Sequence, residues 1–147
     1  MKRELLNFCL ELANSKVEAL EQELDGTREA TTTESKSSAG DKHETGRAMM
    51  HLEQEKLHKQ LAEAQTIVAE LARIGPTAIH TQIGLGTLVK TDKTIFLLAA
   101  GLGKVDFEGT TYFVVSTKAP IAAQFLGKTA GDKVNMNGTV YDIQSVQ

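Results

Sequence analysis

The sequence predicts an α+β protein in two parts, an antiparallel coiled-coil helical hairpin over residues 1–75 and a small β-rich domain with one short helix over residues 76–147. Three observations predict it. Apolar residues step by three and four through two long N-terminal segments, a Gly75-Pro76 pair closes the second, and the rhythm beyond it changes to short β-prone stretches punctuated by glycine.

The first helix is read from Leu6, Leu10, Ala13, Val17, Leu20 and Leu24, a heptad seam sustained for nearly three repeats. From Thr27 the chain turns polar, with Thr31, Thr32, Thr33, Ser35, Ser37 and Ser38 offering little to bury, so the helix is expected to fray or end there, by about residue 34. A second seam of the same period runs through Met50, Leu57, Leu61, Ala64, Val68 and Leu71, with Gln54 at its one polar position. Two similar seams joined by a short polar connection pack most simply as an antiparallel pair, each burying the other's apolar stripe. About 30 residues per helix at ~1.5 Å rise gives an arm on the order of 45 Å long. Proline lacks a donor and clashes with the preceding turn, so Gly75-Pro76 is expected to stop the second helix.

Strands are expected over 83–89, 94–99, 104–107, 111–115, 134–136 and 139–143. Glu108-Gly109 and Asn137-Gly138 read as hairpin turns, the second a preferred type I′ pair. Between Pro120 and Gly127, the run Ile121-Ala122-Ala123-Gln124-Phe125-Leu126 reads as a short helix, with proline at its start and glycine just past its end.

Composition excludes several classes. The 147 residues are 41% hydrophobic and 24% charged, an ordinary globular balance, and no apolar run approaches the ~20 residues of a membrane span. A cytoplasmic location is expected. A net charge of −3 argues against a protein that grips nucleic acid through phosphate contacts, so the large partner is expected to be protein. Charge divides unevenly: residues 1–75 carry 14 acidic and 10 basic side chains, and residues 76–147 carry 5 acidic and 6 lysines. Cys9 cannot pair within the chain, and its neighbours Phe8, Leu10 and Leu12 mark a small buried hydrophobe.

The chemistry-bearing candidates are Asp41 and Glu44. Three residues apart in the first turn of the second helix, they share a face and are close enough to share a cation such as Mg²⁺. The same spacing is a capping box, with Asp41 as N-cap and Glu44 reaching back to its backbone N–H. Both roles stay open, since a capped first turn also fixes the two carboxylates in space. His51 and His58 lie seven apart, too far to share an ion without other ligands; His43 falls near the tip and His80 in the linker. Gly84 with Gly86, and Gly101 with Gly103, do not complete a phosphate-binding glycine motif and read as turn residues.

The stretch Ala119-Pro120-Ile121-Ala122, then Phe125-Leu126-Gly127-Lys128, Gly131-Asp132 and Val134, resembles the closing motif of the Gre transcript-cleavage factors of bacterial RNA polymerase, the GreA/GreB-like family. Gly40-Asp41 followed by Glu44 resembles their acidic tip motif. The order of the parts extends the resemblance over essentially the whole chain. It implies a hairpin that enters the polymerase's secondary channel and a C-terminal domain of FK506-binding-protein-like (FKBP-like) fold that docks at the channel rim. It also implies that Asp41 and Glu44 help hold a catalytic Mg²⁺ in the polymerase active site, where water attacks backtracked RNA. The chain would then be an accessory factor and no enzyme itself, with no cofactor of its own, meeting nucleic acid only through the elongation complex and having no membrane partner.

Past the tip the family continues Asn-Ala-Glu-Tyr where this chain has Thr45-Gly46-Arg47-Ala48, and Ala119 stands in place of the usual serine. Polymerase docking therefore rests on more of the motif than cleavage does. A secondary-channel regulator that does not cleave is the alternative. A prolyl isomerase is the other class the implied fold raises, and Phe96, Phe107, Tyr112, Phe113, Phe125 and Tyr141 are expected to be too few in patterned strands for its apolar pocket.

Overall fold

The structure, a computed structural model, describes residues 1–36, 41–75 and 78–147, with side chains described outside 29–44. Two long helices, α1 (Lys2–Lys36) and α2 (Asp41–Ala72), precede β1 (Leu88–Thr91), β2 (Ile95–Leu98), β3 (Gly103–Phe107), β4 (Thr110–Val115), α3 (Pro120–Phe125), β5 (Lys133–Met136) and β6 (Thr139–Val146). The chain divides into two compact units: Leu12–Thr66, and Met1–Glu11 together with Ile67–Gln147. The start of α1 shares a unit with the end of α2, and the rest of each helix shares the other, so the helices run in opposite directions as a hairpin.

Within Leu12–Thr66 the seams meet as their spacing requires. Leu20, Leu24, Leu57 and Ala64 are buried against one another, with Val17 and Leu61 packed at the edge. Residues at i, i+3 and i+4 fall on one helical face, so one stripe from each helix suffices for this core. The polar stretch beginning at Thr27 continues the helix as far as Lys36, within two residues of the expected end. It contains neither glycine nor proline after Gly26, and polarity alone costs a helix only tenths of a kcal/mol per residue, roughly. The Thr27 hydroxyl is turned back to donate to the Leu24 carbonyl at 2.8 Å, where it does not compete for the backbone. At the other end, α2 stops at Ala72, and bonds from Arg73 N–H to Glu70 O and Ile74 N–H to Leu71 O tighten the exit. Pro76, expected to terminate this helix, lies outside the described residues.

The larger unit holds a six-stranded sheet in the order β3-β4-β2-β1-β6-β5. All neighbours are antiparallel except β2 and β4, which pair in parallel from Ile95↔Tyr112 to Leu98↔Val115. Both expected hairpin turns form, and Glu108 and Gly109 (φ 49 and 79) and Asn137 and Gly138 (φ 52 and 83) take the doubly positive φ of a type I′ turn. The first strand differs from expectation. It starts at Leu88, not Ile83, because Gly86 adopts φ 85 and bends the chain ahead of it. Ile83 is nevertheless held, exchanging backbone bonds with Lys128 O and Gly127 N at 2.9 Å.

Strand alternation gives the sheet two buried faces. On one, Val89, Phe96, Leu98, Val134 and Ile143 pack with Ala122 and Phe125 of α3. A register shift opposite Lys90 and Thr91, which pair with Ser145 and Ile143, lets both Ile143 and Val146 reach this face. Tyr112, Val114, Leu97 and Val105 point the other way and are equally buried, Tyr112 and Val114 completely. Their cover comes from the helix ends. Phe8 stacks on Phe107 with centroids 5.0 Å apart, the Tyr112 hydroxyl donates to Met1 Sδ at 3.7 Å, and Leu5 and Cys9 are fully buried.

Two contacts tie the helix ends to the chain beyond them. Lys2 is buried, and its Nζ donates to Ala78 O at 2.8 Å and Gln147 O at 3.3 Å, joining α1 to the linker and to the last residue. Gly86 passes so close to the end of α2 that a Cβ there would stand 2.9 Å from Ile74 Cγ2. Gly86→Ala is therefore expected to lower stability by about 2 kcal/mol or more, since a positive φ and an overpacked contact each cost on the order of 1–2 kcal/mol. Gly84→Ala, with nothing within 4 Å of the added carbon, should leave the urea midpoint almost unmoved.

His80 follows the same linker. Burial, and then the Lys2 charge, hold its imidazole below the ordinary histidine value. The unfolded chain thus binds a proton that the folded chain refuses, and stability falls as pH drops through about 6.5, levelling once the folded value is passed. Denaturation midpoints between pH 7.5 and 5 should show this limb, and His80→Asn should flatten it.

Candidate functional site

Asp41 opens α2, and Glu44 follows in its first turn, so the helical start expected from the carboxylate spacing is present. Their side chains lie outside the described residues, as does the choice between capping box and shared cation. Gly46 sits inside α2, where a glycine costs up to ~1 kcal/mol against alanine. His43 shares the undescribed stretch, and His51 and His58 are exposed on α2. Among the described residues no three His, Cys, Asp or Glu side chains gather as a metal site, and no helix is long and apolar enough to cross a membrane.

Cys9 is a core residue, as its neighbours foretold. Burial pushes its thiol up to about 11, which leaves almost no thiolate at neutral pH. A thiol-reactive probe at pH 8 should leave native Cys9 unmodified for as long as the fold persists and label it fully in denaturant; rapid native labelling would contradict this packing.

The residues of the C-terminal motif have structural duties. Pro120 takes the first turn of α3, and Gly127 follows it at φ 80 while its N–H donates to Ile83 O. Phe125 is wholly buried under the sheet. Asp132 accepts at Oδ2 from the Thr129 N–H at 2.9 Å and from its hydroxyl at 3.2 Å, closing a turn that Gly131 continues at φ 94. The spacing of this motif is thus that of one compact helix-and-turn unit, and its chemistry is that of folding.

What the sequence does not bring together, the sheet does. On the α3 face, Phe96 makes ring contacts with Phe113 (6.1 Å), Phe125 (5.1 Å) and Tyr141 (5.7 Å), and Phe125 meets Tyr141 at 5.9 Å. Phe107 and Tyr112 belong to the opposite face. Four of the six strand and helix aromatics therefore form one cluster. Against it lies an open cleft of about 340 Å³, bordered by Thr94, Phe96, Phe113, Ile121, Met136 and Tyr141 with the Asn137 turn at its end. Its walls come from β2, β4, α3, β5 and β6, which are remote in sequence, and the parallel β2–β4 pairing sets Phe96 beside Phe113. Only the β-propensity of these aromatics was available beforehand.

A smaller recess of about 190 Å³ lies on the other face, bordered by Met1, Leu88, Lys90, Ile95, Tyr112 and Ser145 among others. Between β1 and β2, Asp92 accepts from the Asp142 N–H at 2.8 Å and pairs with Lys93 at 3.2 Å. These bonds hold the Asp92 carboxyl below its ordinary range, the Asp142 N–H contributing most.

No family model matches the chain, and no curated protein matches it. Solved structures do. GreA factor homolog 1 (Gfh1) of Thermus thermophilus is similar at 14% identity over 94% of each chain, with a TM-score of 0.38. A second structure of the transcription factor Gfh1 is 16% identical, covering 89% of this chain and 92% of that one, with a TM-score of 0.36. Gfh1 of Thermus aquaticus is 16% identical over 90% and 94%, with a TM-score of 0.34.

Proposed function

We propose that this chain is an accessory transcription factor that binds bacterial RNA polymerase, places its hairpin in the secondary channel and stimulates cleavage of backtracked RNA by the polymerase's own active site. The observation that carries the proposal is the position of Asp41 and Glu44, in the first turn of the second helix of a hairpin whose sequence resembles the Gre acidic tip. The helix–sheet order and the C-terminal motif agree with it. Residues 1–75 serve in this reading as the arm and 76–147 as the docking part.

Physically, a polymerase active site is deep, and an arm of two helices is a stiff way to carry two carboxylates into it. Fixed three residues apart on one helical turn, they orient a Mg²⁺ or its water without reorganising. When bound, that ion would supply activation of water for phosphodiester hydrolysis. The polymerase would supply the remaining ligands, since two carboxylates hold Mg²⁺ only weakly by themselves.

In halted elongation complexes of the polymerase from the same organism, the wild-type chain is expected to shorten the transcript. Asp41→Ala or Glu44→Ala should slow this by roughly tenfold to a hundredfold, the range that losing a ligand-orienting partner costs at metal sites. The double variant should still bind polymerase. Asp41→Asn separates the two roles, because asparagine caps as well as aspartate but carries no charge. Equal shortening by Asp41→Asn and wild type would make Asp41 a cap. No shortening by a wild type that does bind would make the chain a non-cleaving channel regulator.

A further inference from the structure

Where α2 ends, the larger unit carries a recess that the chemistry proposed for Asp41 and Glu44 does not use. It measures about 120 Å³ and is bordered by Glu70 and Arg73 at the end of α2, by Leu85, and by Ser116, Thr117 and Lys118 in the connection from β4 to α3. At ~30 Å³ per water this is space for about four waters. An anion the size of phosphate fits it, and a nucleoside does not.

The lining is rich in donors that have nothing to donate to. The planar fork of the Arg73 guanidinium and the Lys118 ammonium have no hydrogen-bond or ion-pair partner among the described residues, and neither does the Thr117 hydroxyl. Ser116 Oγ accepts from the Lys118 N–H at 3.1 Å, which leaves its own O–H to donate. Carbonyls at the end of α2 that would repel an anion are occupied. Glu70 O accepts from the Arg73 N–H at 3.3 Å, and Leu71 O from the Ile74 N–H at 3.2 Å.

One carboxylate completes the lining, and it decides which anion fits. Glu70 lies three residues from Arg73, yet the two form no ion pair among the described residues. Beside a bound oxyanion the Glu70 carboxylate repels an oxygen without a proton and accepts a hydrogen bond from an oxygen that keeps one. Sulfate is fully deprotonated at neutral pH, and a phosphomonoester has lost most of its second proton above a pKa of ~6. Inorganic phosphate retains a P–O–H throughout.

We propose that this recess is a binding site for inorganic phosphate, held by Arg73, Lys118 and the hydroxyls of Ser116 and Thr117, and selected by Glu70, which accepts a hydrogen bond from the ion's P–O–H. Bound there, the ion joins the end of α2 to the β4–α3 connection, two stretches remote in sequence. Phosphate then stabilises this unit, because a ligand that binds only the folded chain raises its stability. None of these residues belongs to the hairpin tip, and the site holds whether or not the chain binds polymerase.

The test is calorimetric titration of the full chain at pH 8, in a chloride buffer of low ionic strength, with sodium phosphate, sodium sulfate or uridine monophosphate, alongside melting temperatures in each anion. Phosphate is expected to saturate one site and to raise the melting temperature, with sulfate and uridine monophosphate weaker by roughly tenfold or more. Arg73→Ala should weaken phosphate by roughly tenfold or more, since a charge-assisted fork is lost, and Lys118→Ala several-fold. Lys104→Ala, outside the recess, should change nothing. Glu70→Gln should admit sulfate as readily as phosphate, because the amide donates where the carboxylate only accepts. The proposal is overturned by a wild type that shows no saturable phosphate binding, or that binds sulfate or uridine monophosphate as tightly as phosphate. Undiminished binding by Arg73→Ala and Lys118→Ala, or continued rejection of sulfate by Glu70→Gln, overturns it equally. The comparison of anions is made on the wild type, so it decides the matter even if a variant fails to fold.

Discussion

A sheet of six strands with two apolar faces needs two covers, and the architecture of the larger unit follows from that requirement. The helix α3 covers one face. The other carries Tyr112, Val114, Leu97 and Val105, and complete burial of a side chain of this size contributes about 1.5–3 kcal/mol only where something excludes the water. The first eleven residues and the last turns of the second helix do so. This explains why Lys2 is buried against two backbone carbonyls. Its ammonium is the polar pin at the edge of an apolar cover, where main-chain oxygens of Ala78 and Gln147 accept from it. It also explains Gly86, the point at which the linker must pass against Ile74.

The two candidate sites belong to different physical regimes. Asp41 and Glu44 sit on an acidic arm whose core is one narrow stripe of leucine, valine and alanine. Outside that stripe the helices expose mainly polar and charged side chains, with Leu12, Met49 and Leu52 as exposed apolar exceptions. The aromatic cleft is the converse, a mostly apolar surface of Phe96, Phe113, Ile121, Met136 and Tyr141 with Thr94, Asn137 and Thr139 at its border.

Much of this was legible in the residues, wherever the determinant was local. The heptad seams gave both helices, because a three-and-four spacing has one structural meaning over many turns. Asn137-Gly138 and Glu108-Gly109 gave their turns because few residues tolerate two successive positive φ values. Local signals failed where a distant partner decided the outcome. Ile83 has the β-propensity of a strand residue, yet its backbone bonds go to Gly127 and Lys128. The parallel pairing of β2 with β4 has no signature in either strand, and the aromatic cleft depends on it. For Asp41 and Glu44 the spacing does not choose between cap and ligand, since both roles ask for the same residues at the same separation.

The larger unit is discontinuous along the chain, interrupted by Leu12–Thr66, and this bears on the order in which it is built. Were those residues an unstructured coil, bringing their ends together would cost roughly 3–4 kcal/mol of loop-closure entropy. The hairpin removes most of that cost. Its seam contacts are short-range at the turn and propagate toward the ends, so zipping the two helices delivers Glu11 and Ile67 to each other before any strand has paired. Mutations that weaken Leu20, Leu24, Leu57 or Ala64 would on this account slow assembly of the sheet as well as of the hairpin.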